Sequence, residues 1–92
     1  MALTVRQNVP NPFNPSTRIS FAISKTAAVT VDVFDLVGRK IAVLVDRPFA
    51  AGEHSLVWDA RDADGRLVSS GTYLFRITAG GRSESRKMLL LR

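Results

Sequence analysis

Any chemistry in this chain would have to come from a few side chains: the single histidine His54, the acidic trio Asp59, Asp62 and Asp64, and the large aromatics Trp58 and Tyr73. A histidine acts as a general base or metal ligand only within a constellation. Here there is no cysteine, no Gly-x-Ser-x-Gly elbow and no phosphate-cradling glycine loop. His54 is in phase with Leu56 and Trp58 near the start of an alternating run, which suits an edge or partly buried structural role, so the protein is expected not to be an enzyme. The aspartates ahead of Gly65 offer oxygens to a calcium ion, which takes about six to eight. They lack the alternating series and the distant glutamate of an EF-hand loop, so turn capping is expected, with no metal and no cofactor. Trp58 and Tyr73 would stack on a sugar if exposed, but each shares its phase with apolar neighbours. That phase places them, with Phe75, in a core.

The elements that would carry these residues are short runs of period two separated by turn residues, without helical periodicity, which predicts an all-β antiparallel sandwich of about seven strands. Ile19, Phe21 and Ile23 alternate with Arg18, Ser20 and Ala22, and Val29, Val31 and Val33 alternate with Thr30 and Asp32. Asp35-Leu36-Val37-Gly38 suits a type I turn closed by a glycine bulge, and the same grammar returns at Asp62-Ala63-Asp64-Gly65-Arg66. Lys40 to Val45 is a strand without a readable inward face, either buried on both sides or bulged. A run holding His54, Leu56 and Trp58 follows Gly52, then a short strand at Leu67-Val68. Thr72 to Ala79 turns Tyr73, Phe75 and Ile77 inward, and Gly80-Gly81 leads into a last strand from about Arg82 to Leu91.

Ahead of the first clear strand, three of the four prolines (Pro10, Pro12 and Pro15) surround Phe13. Proline cannot donate to a ladder, so residues 1–16 are expected as an extended lead-in to a sandwich at 17–92, with Phe13 plugging its end. Pro15 also excludes Asn14 as a glycosylation acceptor.

The 92 residues suffice for one domain with one modest core, which must hold without disulfides. No apolar run nears the roughly 18 residues of a membrane span, and no signal peptide opens the chain, so a soluble segment with any export signal further upstream is expected. Met88 to Leu91 is strand-like almost to the last residue, which reads as a natural terminus. The formal charge of +5 invites a nucleic-acid or anionic-surface reading, but the cations are scattered from Arg6 to Arg92 among aspartates. Only Arg82, Arg86, Lys87 and Arg92 form a local excess, opposed by Glu84. No nucleic acid partner and a monomeric domain are expected.

Taken in order, the proline lead-in, the paired Asp-x-x-Gly-Arg turns, the Gly-x-Tyr strand from Gly71 to Tyr73 and the terminal Lys87-Met88-Leu89-Leu90-Leu91 resemble a known family. They are similar to the immunoglobulin-like C-terminal type A sorting domains of the type IX secretion system, and to the Ig-like domain of flagellar hook-capping proteins. The resemblance spans Asn8 to Arg92. It implies a non-catalytic module that directs an upstream cargo, a secreted hydrolase for instance, through the periplasm and an outer-membrane translocon to the cell surface. Its implied partners are the translocon and the sorting and attachment components, with lipopolysaccharide as a further anionic one. The matching recognition positions are Pro10, Asn11, Pro12, Phe13, Gly71, Tyr73 and Lys87. A proline-rich entrance and an exposed final edge strand would give a receptor shape and unpaired backbone groups to read. The lead-in and turns look as much like the hook-capping domain, so a structural or adhesive Ig-like module is the second reading and a carbohydrate-binding module the third.

Overall fold

The computed structural model covers all 92 residues and has two antiparallel sheets facing each other. The strands are β1 (Leu3–Val5), β2 (Thr17–Ile23), β3 (Ala27–Asp35), β4 (Lys40–Phe49), β5 (Gly52–Trp58), β6 (Gly71–Ala79) and β7 (Arg82–Leu90). One sheet has the order β1-β2-β5 and the other β4-β3-β6-β7. This is the expected all-β sandwich, and the alternation that predicted it also builds its core. Ile19, Phe21 and Ile23 from one sheet meet Val29, Val31, Val33, Tyr73, Phe75 and Ile77 from the other, all buried.

Two expectations change. The seventh strand is β1, paired with β2 through Leu3–Ile23 and Val5–Phe21, whereas Leu67 makes only an isolated bridge to Arg61. Residues 1–16, expected as a lead-in, thus contribute a strand and two buried apolar side chains, Val5 and Phe13, to the sandwich itself. The ambiguous apolar run became the bulged edge strand β4. Its register against β3 slips at Leu44 and again at Ile41, and Val43 is left exposed. Pro48 sits on this same edge strand, where its missing N–H costs no ladder bond.

The two Asp-x-x-Gly-Arg turns share the same set of bonds from backbone N–H groups. In the first, the Asp35 carboxylate accepts the N–H groups of Val37 (3.0 Å) and Arg39 (2.9 Å), while Gly38 N–H bonds to the Asp35 carbonyl. In the second, Asp62 accepts from Asp64 (2.9 Å) and Arg66 (3.0 Å), and Gly65 N–H bonds to the Asp62 carbonyl. Gly38 and Gly65 take φ of +94° and +80°, the left-handed conformation that costs a side-chain-bearing residue roughly 1–2 kcal/mol. The Ala63 N–H donates to the Ile41 carbonyl, so the second turn lies against the start of β4, beside the first.

On the outer face of the four-stranded sheet, Asp32 is buried although it points away from the core. Arg76 (3.5 Å) and Lys40 (3.7 Å) close over it, and the Arg76 guanidinium lies 4.6 Å from the centre of the Phe34 ring.

Candidate functional site

The lead-in is held to β2 by a buried polar knot. Asn8 donates from Nδ2 to Thr17 Oγ1 (2.9 Å), Thr17 donates to the Pro10 carbonyl (2.8 Å), and Gln7 donates to Asn8 Oδ1 (2.7 Å). Asn8 and Thr17 are nearly inaccessible to solvent, so each bond replaces one that water would otherwise supply. The peptide bonds preceding Pro10, Pro12 and Pro15 are cis.

From that anchor the lead-in crosses to the other sheet and covers the outer edge of β7. The Leu89 N–H donates to Asn11 Oδ1 (2.9 Å), the Phe13 N–H to the Leu89 carbonyl (3.0 Å) and the Leu91 N–H to the Phe13 carbonyl (3.0 Å). Gln7 Nε2 adds a bond to the Lys87 carbonyl (2.7 Å), and Arg86 reaches the Val5 carbonyl (3.1 Å). The expectation for the final strand is an exposed edge. Its second half is instead bonded to the lead-in, and β1 also packs against β7, while the stretch from Arg82 to Ser85 makes no backbone hydrogen bond on its outer side. The reason is stoichiometric: Phe13 is extended parallel to Leu90 and uses both its N–H and its carbonyl there.

Phe13 fills the sandwich end, 5.8 Å from the Trp58 ring, and Trp58 in turn lies 5.6 Å from Tyr73 at 72°. Trp58 donates its indole N–H to the Arg61 carbonyl (2.9 Å) and Tyr73 its hydroxyl to the Ser69 carbonyl (2.6 Å). The latter is the tyrosine-corner geometry of Ig-like domains, a tyrosine at a strand start bonding back to the preceding loop. Phe75 is in the core below. With both large aromatics buried, neither supplies a flat sugar-stacking surface.

The seven positions singled out by the resemblance therefore converge on one end and one edge. Phe13 and Tyr73 act from beneath by shaping it, while Pro10, Asn11, Pro12 and Lys87 are on the surface. Gly71 opens β6 opposite Leu90 with φ +153°. Sequence reasoning missed Asn8, Thr17 and Gln7 as the residues that hold this surface together; the only signal was that they flank the prolines.

The remaining candidates are placed elsewhere. His54 Nε2 bonds to the Ala50 carbonyl (2.7 Å) and packs between Phe21 and Phe49. Asp59 pairs with Arg61 (3.4 Å), Asp62 is occupied by its own turn, and no group of three histidine, cysteine or carboxylate side chains gathers as a metal site would require. The acidity of Asp35 is displaced. The Arg39 backbone N–H, more than the Arg39 guanidinium 2.9 Å away, holds its carboxyl below 3.8 against a smaller opposing effect of burial. No helix is long and apolar enough to cross a membrane.

Fold and site together define an immunoglobulin-like sandwich whose N-terminal segment is sutured to its last strand. Residues 8–83 match the sequence model of the FlgD Ig-like domain, and the chain belongs to that family. It superposes on PorU of Porphyromonas gingivalis with a TM-score of 0.79 at 20% identity, covering 98% of this chain and 9% of that one. For PorZ of the same organism, described as an essential surface component of the type-IX secretion system, the TM-score is 0.66 at 24% identity, over 96% of this chain and 11% of that one. For FlgD of Xanthomonas campestris, whose structure is described as giving insight into the hook capping essential for flagellar assembly, it is 0.67 at 25% identity, over 95% and 64%. The chain thus spans about a tenth of the length of PorU and PorZ, and the likeness to those two is one of fold. No curated protein sequence matches it.

Proposed function

We propose that this domain is a non-catalytic sorting and cell-surface attachment module that directs an upstream cargo across the outer membrane of a bacterium with a type IX secretion system. The observation that carries this reading is the convergence just described. Residues far apart in sequence, from Pro10 to Lys87, form one surface whose shape depends on the domain being folded. A receptor reading that surface would distinguish folded from unfolded passengers, which suits a device that commits cargo to export. The fold likeness to PorU and PorZ supports the same reading. The translocon and its attachment components are the partners it implies. Lipopolysaccharide would be the anionic surface against which the excess of cations works.

Membership of the FlgD Ig-like family favours a second reading, a structural Ig-like module of the hook-capping kind that acts by packing against neighbouring domains. The two separate in one experiment. A soluble reporter fused ahead of the domain is expressed in a bacterium with a type IX system and in a strain lacking it. Sorting predicts surface reporter in the first and periplasmic reporter in the second. Periplasmic reporter in both would leave the structural module as the account.

A further inference from the structure

Each sheet ends in two edge strands, and natural sandwiches blunt such edges to stop them pairing with other chains. Three of the edges here are blunted. β1 has only 3 residues, β4 slips register twice and carries Pro48, and β7 is bonded to the lead-in along its second half, with Arg82 and Glu84 along the rest. β5 has no such device. It contains no proline, bulge or lysine, and it pairs with β2 in unbroken register from Gly52–Ile23 to Trp58–Thr17. The bonds of β2 show which of its backbone groups are free: Arg18 and Ser20 turn theirs toward Val9 and Arg6, so Ile19 and Phe21 bond across to Leu56 and His54. The N–H and carbonyl groups of Glu53, Ser55 and Val57 therefore point away from the sheet, where no strand pairs with them. On the same side, β4 and the end of β5 flank a depression of about 540 Å³ lined by Ala42, Val43, Leu44, Val57 and Trp58, with both valines exposed.

The order of residues along β5 makes this edge complementary to itself. We propose that β5 pairs antiparallel with β5 of a second copy of this chain, about a two-fold axis at Ser55. In that register Ser55 faces Ser55 of the second copy and Glu53 faces its Val57, in both directions, so every outward N–H and carbonyl of these residues finds a partner. Sliding the pair by one step to either side leaves Val57 or Glu53 opposite a residue outside the strand. Charge favours the same register. Arg18 has no carboxylate partner in its own chain, and its Nη1 donates to Ser55 Oγ (3.1 Å), which places the guanidinium over β5. Arg18 is opposite Val57, and Val57 would be opposite the second copy's Glu53, a span of about 10 Å between α-carbons that the two long side chains can close. Each Glu53 would then lie between its own Arg6, now 3.1 Å away, and the second copy's Arg18. On the inner face, Leu56 meets His54 of the second copy, and both are only half-buried in a single chain. The net charge of +5 on each copy opposes association at a distance, which makes the pair weak and concentration-dependent. It departs from the monomer expected of the sequence because its bonds are backbone ones, which composition does not reveal. The interface is separate from the lead-in surface and stands whether or not the domain sorts cargo.

The test is sedimentation of the 92-residue chain from micromolar to millimolar concentration, with amide hydrogen exchange measured across the same series. Pairing predicts a monomer–dimer equilibrium in which exchange at Glu53, Ser55 and Val57 slows as the dimer forms. The amides of His54 and Leu56, already bonded to β2, should change far less. Ser55→Pro removes an outward N–H that makes no bond within the chain, so it should weaken association about tenfold or more and keep the melting temperature measured at dilution. Charge reversal gives a second arm: Arg18→Glu should weaken association, and adding Glu53→Arg should restore it. A chain that stays monomeric at millimolar concentration would overturn the proposal and leave the β5 edge to a strand of another protein. So would a dimer whose new protection falls at residues 82–85, or one that a folded Ser55→Pro leaves unchanged. Should Ser55→Pro fail to fold, the charge pair decides, and association indifferent to Arg18→Glu would overturn the proposal.

Discussion

Trp58 joins the two halves of the structure, touching the lead-in through Phe13 and the corner through Tyr73. Its removal leaves a cavity between sheets that cannot collapse, so Trp58→Ala should cost about 3–5 kcal/mol, much of the stability of a domain this size. A urea melt followed by circular dichroism measures this, and an unchanged midpoint would contradict the burial. Asp35 gives a pH signature. Its carboxyl titrates below 3.8 in the folded state, so the stability it confers is complete above that value and lost as pH falls through the lower folded value. Asp35→Asn should lower the melting temperature at neutral pH and flatten this part of the acid limb. Equal acid dependence in both proteins would show that the turn cage contributes nothing.

At the scale of elements, the suture between residues 7–13 and β7 makes the entrance part of the fold. Deleting residues 1–16 removes buried Val5 and Phe13, uncovers Trp58 and strips the partners of Leu89 and Leu91. The remaining 17–92 segment should fail to give a cooperative melt. A milder probe is Asn11→Ala, which should cost about 0.5–1.5 kcal/mol and speed hydrogen exchange at the Leu89 amide more than at Phe75. Much of this architecture was legible in the chain. Period two assigned the inward residues of β2, β3 and β6, and Asp with Gly at fixed spacing assigned both turns, because each is a local rule. What escaped was tertiary. Three residues of β1 are too few to show a period, and the five apolar residues from Ile41 to Val45 fit any register until β3 supplies a partner. Nothing local tells that Asn8 will bond to Thr17, or that Phe13 will close the edge of β7.

The whole molecule is small and slightly elongated, 37 × 22 × 20 Å, with a radius of gyration of 12.7 Å against the roughly 12 Å expected for its length. With one core shared by both sheets, thermal unfolding should be a single transition, coincident by near-ultraviolet and far-ultraviolet circular dichroism. The central claim is that the folded surface, rather than foldedness alone, is what an export machine reads. Lys87 and Arg92 are exposed on that end, and neither is buried in the core, so replacing both by alanine should leave the melting temperature nearly unchanged. The measurement is the fraction of a fused reporter displayed on the surface of a bacterium with a type IX system, for the parent and for Lys87→Ala with Arg92→Ala at matched stability. A sorting surface predicts that the double variant holds its reporter in the periplasm while the parent displays it. Equal display by both proteins would contradict the claim.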